Sequence, residues 1–219
     1  MTIVAAVVAA LLCLAVAPYS ARLTRTVPDR ENRRWYVGAR PTRSVLTVTA
    51  AVSVLLGLLA GVAARWSALL PAYVVLAAGS AVLVVVDVEH HRLPNRLLYP
   101  AAAAAVALLA VAAAARDDWA AYLRAVEAAG VVYVVFLALA LISPRSLGRG
   151  DVRLAALLAA YLGFRSWPLV YLGLFAGFVL AAVAATVLLI SRRATRTTAL
   201  PFGPALILGT LLVLAATHP

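Results

Sequence analysis

Apolar runs of membrane length recur along the whole of this 219-residue chain, and no other feature limits its fold as severely. A bilayer core of ~30 Å is crossed by about 20 apolar residues in a helix. Seven segments meet or approach that length, at about 2–18, 45–64, 67–86, 97–115, 128–142, 168–190 and 199–217. With 65% hydrophobic residues and a mean hydropathy of +1.02, the chain reads as an all-α polytopic membrane protein rather than a soluble domain. The whole of 1–219 is expected to form one integral-membrane domain. Its first run lacks a basic leading region and passes into an arginine-rich loop, so it reads as a retained span rather than a removed signal.

Charge decides the number of crossings. The net charge is +11, and every basic residue is an arginine. These arginines lie between apolar segments, which excludes a soluble nucleic-acid-binding domain and points to a topology signal. Val152 to Gly163 is short for a span, but counting it as a sixth, short crossing gives about eight in all. Fifteen arginines then fall in the loops after spans one, three, five and seven, and four (Arg65, Arg116, Arg124 and Arg165) fall on the other side. The positive-inside rule places those four loops in the cytoplasm and both termini outside. Residues 20–44 are expected to form a basic cytoplasmic loop. Residues 116–128 interleave charged and apolar positions at helical spacing and are expected to lie as an interfacial amphipathic helix, with Asp117, Asp118 and Glu127 on its solvated face.

Ionisable groups at span ends are costly and therefore candidates for function. Of eight acidic residues, Asp29 and Glu31 belong to the basic loop and three to segment 116–128, leaving Asp87, Glu89 and Asp151. Asp87 stands at the cytoplasmic end of the third span and Asp151 at the cytoplasmic start of the sixth. Two carboxyls at one depth can share a proton, since neighbouring like charges resist joint ionisation. Such a pair can deprotonate a water while its protonated member polarises a carbonyl. Taken singly, Asp151 reads equally as a helix N-cap and Asp87 as an ordinary charge leaving the bilayer. Gly148 and Gly150, flanking Arg149, allow unusual backbone angles and close approach by another chain. The helix macrodipole favours the ionised form of Asp151 at a helix start and disfavours it for Asp87 at a helix end, so Asp151 is the expected base. His90 and His91 are adjacent and have no third ligand at metal spacing, so no metal is expected. Cys13, the single cysteine, reads as packing.

Three motifs in order carry a resemblance. Asp87 is followed after six residues by Pro94 and Asn95; Gly148-Arg149-Gly150-Asp151 matches GxGD; and Leu200-Pro201-Phe202-Gly203-Pro204 stands near the start of the last span. From about residue 45 onward the chain resembles the type IV prepilin peptidases, GxGD aspartic proteases of bacterial membranes. The resemblance implies removal of the short basic leader of a prepilin or pseudopilin at the cytoplasmic face of the cell membrane, commonly after glycine. It names Asp87 and Asp151 as the catalytic pair, with no cofactor and no nucleic acid among the partners. Those partners are the substrate, the bilayer and, in the wider system, a pilus or secretion assembly machinery. Pro94 and Asn95 would open the fourth helix. Pro201, Phe202, Gly203 and Pro204 would shape the substrate groove or simply form the turn that opens the last helix. Glu89 would bind the basic leader, tune Asp87, or remain a solvated loop charge. Long members of the family carry paired CxxC metal motifs in an N-terminal portion and also N-methylate their product. Residues 20–44 contain no cysteine, which implies a short form that is a peptidase alone. Pro204-Ala205-Leu206 is also similar to the PAL motif of presenilin. Another GxGD protease of presenilin or preflagellin-peptidase type therefore stands as an alternative, as does a proton- or cation-binding transporter or scaffold.

Overall fold

The computed structural model describes residues 1–27, 35–142, 147–192 and 201–217. Among them eight α-helices follow one another: α1 (Thr2–Thr26), α2 (Arg43–Ala64), α3 (Leu70–His90), α4 (Asn95–Arg116), α5 (Trp119–Ile142), α6 (Arg149–Arg165), α7 (Trp167–Ile190) and α8 (Gly203–Ala216). A single 3-10 turn at Trp35–Val37 is added, and no strand occurs among the described residues. Six of the eight helices, all but α6 and α8, are long and apolar enough to cross a membrane by length and composition.

The two shorter helices run through the bundle in the sense that the arginine distribution requires. The backbone of Gly203, at the start of α8, bonds Asp87 near the end of α3. The Arg165 guanidinium, at the end of α6, bonds the carbonyls of Ala63 near the end of α2 and of Thr217 just beyond α8. Hence α6 and α8 both lead from the end of the bundle where α3 stops to the end where α2 stops. At 17 residues α6 spans roughly 25 Å, short for a lipid-facing span. It is surrounded by protein instead: Leu154, Leu158 and Leu162 are fully buried. Tyr161 packs edge-on against Tyr73 of α3 and donates a hydrogen bond to the Ala72 carbonyl. A helix enclosed in this way need not match the bilayer thickness.

Small residues set how closely the helices approach. Lipid tails are as apolar as leucine, so helices in a bilayer associate through close packing more than through solvent exclusion. Gly57 and Gly61 of α2, one turn apart, lie on the alanine face of α1; a Cβ on Gly61 would stand 2.4 Å from the Ala6 Cα. Gly209 of α8 meets Gly177 of α7 just as closely, and Gly163 of α6 lies against Ala128 of α5.

Two sequence expectations are corrected. Residues 20–26 of the expected loop 20–44 continue α1 as helix through Pro18. Leu23 and Val27 find an apolar seat on Val82 and Val86 of α3, under Trp35, and this burial outweighs the polar composition of the segment. Tyr19 and Thr26 then donate to the carbonyls of Tyr36 and Trp35, folding the chain back along α1. Residues 28–34, with Asp29 and Glu31, lie outside the described residues, as do 199 and 200 of the last expected span. Segment 116–128 is not a separate helix. Arg116 ends α4, Asp117 takes a left-handed turn, and residues from Trp119 onward run without a break to Ile142 as α5. No proline interrupts that stretch, and Ala121, Ala125 and Ala128 form the buried face of its first turns. Arg124 fixes it further by donating to the carbonyls of Gly163, Phe164 and Arg165 at the end of α6. Asp118 accepts a hydrogen bond from the Ala121 N–H and so caps α5, whereas Asp117 and Glu127 are exposed as expected.

Gly61→Ala is expected to cost about 1–3 kcal/mol of unfolding free energy by overpacking the α1–α2 contact. Gly79→Ala, with nothing within 4 Å of the added Cβ, serves as the neutral control. Denaturant titration of both variants in detergent, read against wild type, checks the pair; equal stability of the two would contradict the packing described.

Candidate active site

Asp87 lies in the last turn of α3, which ends where His91 adopts left-handed backbone angles (φ 50°, ψ 42°). The His91 N–H donates to the Asp87 carbonyl at 2.8 Å, and its ring Nδ1 stands 3.2 Å from the same oxygen. The chain then passes through Arg92 and Leu93 to Pro94, the N-cap of α4, with Asn95 as first helical residue. Pro94 and Asn95 thus open the fourth helix as the sequence implied. Asp87 is 5% exposed, and its Oδ2 accepts the Gly203 N–H at 3.0 Å.

Asp151 is the third residue of α6, after the N-cap Gly148. Its Oδ2 reaches back to accept the Gly148 N–H at 3.2 Å, as the acidic member of a capping box does. It is therefore not the N-cap itself, and part of its hydrogen-bonding capacity stays open.

A cavity of about 690 Å³ opens between the α3–α4 loop and the first turn of α6. Asp87, Asp151, Gly148, Gly150, Pro94 and Asn95 all line it, so the structure brings these six sequence-derived candidates together. Both glycines are there for space. Among the described residues the glycine with positive φ is Gly38, not Gly148 or Gly150. A Cβ on Gly150 would lie 2.7 Å from the Leu93 Cβ, and one on Gly148 would lie 3.0 Å from the Asp151 Oδ2. The close approach expected of another chain is made, at Gly150, by this chain's own α3–α4 loop.

The C-terminal motif enters the site through its backbone. Phe202 is the N-cap of α8, with Gly203 and Pro204 in its first turn. A Cβ on Gly203 would meet the Asp87 Oδ2 at 2.9 Å. Phe202 stacks on Phe178 of α7, which in turn meets Phe136 of α5, at ring-centroid distances of 5.1 and 6.0 Å. Pro201, Phe202 and Pro204 do not line the cavity, and neither does Glu89, which is exposed.

Sequence reasoning passed over His91, Leu93, Arg149 and Arg153, all of which line the cavity. Leu93 and Arg149 sit beside the motif residues Pro94, Gly148 and Gly150, whereas the Arg153 bond to Asn95 spans 58 residues and no local spacing signals it. Among the described residues no three His, Cys, Asp or Glu side chains converge as a metal site would require.

No curated protein and no solved structure matches the chain. A family model described as the type IV leader peptidase family matches residues 74–190. That stretch is more than half of the 219 residues and contains Asp87, the α3–α4 loop and Asp151, which bound the cavity. The chain belongs to the type IV leader peptidase family.

Proposed function

We propose that the protein is an aspartic endopeptidase that removes the short basic leader of a type IV prepilin or pseudopilin at the cytoplasmic face of the cell membrane. The observation that carries this reading is the pairing of Asp87 and Asp151 on one cavity. In the reaction, Asp151 as carboxylate takes a proton from a water, whose oxygen attacks the scissile carbonyl carbon. Asp87 holds the proton that passes to the carbonyl oxygen as the tetrahedral intermediate forms. Asp151 then returns its proton to the departing amine as the C–N bond breaks, and Asp87 takes back a hydroxyl proton of the collapsing intermediate. The two carboxyls titrate as a unit.

The Gly203 N–H orients Asp87, and the Gly148 N–H orients Asp151. Residues 20–44 carry no cysteine, which supports a peptidase without the methyl-transfer activity of the long family members. Orientation is supported by the arginines. Of the four on the side away from the site, Arg124 and Arg165 have their guanidinia on helix-end carbonyls. Their position is thus accounted for by capping, and the bias of the remaining arginines towards the site end is steeper still.

Asp87→Asn and Asp151→Asn should each lower cleavage of a co-expressed prepilin by at least about 100-fold, the scale of lost acid–base catalysis. Mass spectrometry of the pilin N-terminus reads this, and unchanged processing in either variant would sink the aspartic mechanism. Reporter domains fused after Arg149 and after Arg193 should both lie in the cytoplasm, and opposite locations would rule out the eight-crossing topology.

A further inference from the structure

The residues on either side of the cavity belong to separate parts of the chain. Asp87 and the α3–α4 loop form one wall, and the first turn of α6, with Asp151, forms the other. Leu93 touches Gly150 across the gap, but an apolar contact sets distance without direction. The directional link is made by Arg153. Its Nη1 donates to the Asn95 Oδ1 at 2.8 Å and to the Arg149 carbonyl at 3.4 Å. Its guanidinium carbon also lies 5.7 Å from the centre of the Tyr99 ring, within cation–π range. Asn95 and Tyr99 are one turn apart on α4 and present the same face, so one planar side chain engages the whole first turn of that helix.

We propose that Arg153 is a positioning residue of the peptidase: by clasping the first turn of α4 to the first turn of α6, it fixes the spacing between the loop that follows Asp87 and the helix that carries Asp151. The inference rests on the aspartic-peptidase reading. Arg153 lies two positions after Asp151, and residues so spaced do not share a helix face. It therefore acts on the pair through Asn95 and Tyr99 rather than by taking part in proton transfer. A misplacement of the order of 1 Å between reacting groups costs as much as about 100-fold in rate, which makes the clasp consequential although it touches no reacting atom.

Charge and spacing can be told apart by sign. The charged groups around Asp151 are Asp87 from α3, His91 and Arg92 from the loop, Arg96 from α4, and Arg149 and Arg153 from α6. From α8 the site receives the Gly203 N–H. Removing the Arg153 cation alone would make the pair hold its protons to higher pH. Releasing the clasp separates Asp151 from Asp87, weakens the repulsion between them when both are ionised and lets the second proton leave at lower pH. Asn95→Ala releases the clasp and leaves every charge in place.

The test uses the full chain in phospholipid vesicles and a quenched fluorogenic peptide consisting of a basic leader ending in glycine followed by about 20 apolar residues, enough to enter the bilayer. Asn95→Ala and Arg153→Ala should each lower kcat by about 10- to 100-fold with KM nearly unchanged. The double variant should be no more than about threefold worse than the poorer single one, since both break the same contact. Arg153→Lys, which keeps the charge and one donor for Asn95, should recover much of the loss. In Asn95→Ala the alkaline limb of the rate profile should move to lower pH. A kcat for Asn95→Ala within twofold of wild type, losses that multiply in the double variant, or an alkaline limb that stays in place would each overturn the proposal. Should Arg153→Ala fail to fold, Asn95→Ala decides alone. No cleavage of the peptide by wild type would instead count against the peptidase reading itself.

Discussion

An aspartate that is 5% exposed at the end of a membrane-length helix must find a donor or remain neutral, and Asp87 takes its donor from the backbone of Gly203. That bond makes the last helix part of the site, although α8 contributes no ionisable group there. The position tolerates no side chain, because a Cβ would crowd the carboxylate oxygen it serves. Two prolines flank the glycine and the Phe202 ring stacks on Phe178, so the turn that presents the N–H is stiffened from both sides. An unpaired buried charge costs several kcal/mol, far more than a turn of this kind does to maintain.

The bundle has two unlike ends. At the site end the α3–α4 loop and the starts of α6 and α8 surround an open polar cavity. At the other end, Arg124 bonds three carbonyls where α6 stops, and Arg165 ties the ends of α2 and α8 together. Helix ends leave carbonyls unsatisfied, and in apolar surroundings each such group is expensive. Arginines that look like topology signals thus also close the far end of the bundle, on the side away from the chemistry.

Much of this was legible in the sequence, and the misses have a common cause. Eight helices, the pairing of Asp87 with Asp151 and the opening of α4 at Pro94 and Asn95 followed from run length, the side on which each arginine falls and local motif spacing. These are properties of short stretches or of the whole charge distribution. The errors arose where tertiary contacts overrode local composition. Residues 20–26 read as a polar loop because the apolar seat on Val82 and Val86 belongs to another helix. Segment 116–128 read as interfacial because the charge of Arg124 gave no hint of the carbonyls awaiting it. Gly148 and Gly150 read as allowing unusual backbone angles and close approach by another chain, whereas what they supply is room for Asp151 and Leu93 of this chain.

The absence of lysine acquires a structural meaning from the same contacts. A lysine ammonium is a compact charge on a flexible stem, whereas a guanidinium offers five donors in a fixed planar fork. Arg124 bonds three successive carbonyls at the end of α6 through two of its nitrogens. Arg165 bonds two helix ends through its two terminal nitrogens. Neither arrangement could be made in full by a lysine, although either residue would satisfy the positive-inside rule equally well. Arginine usage fixed by overall composition would therefore be indistinguishable from arginine usage fixed by function at most loop positions, but at Arg124 and Arg165 the fork geometry itself is what the fold uses.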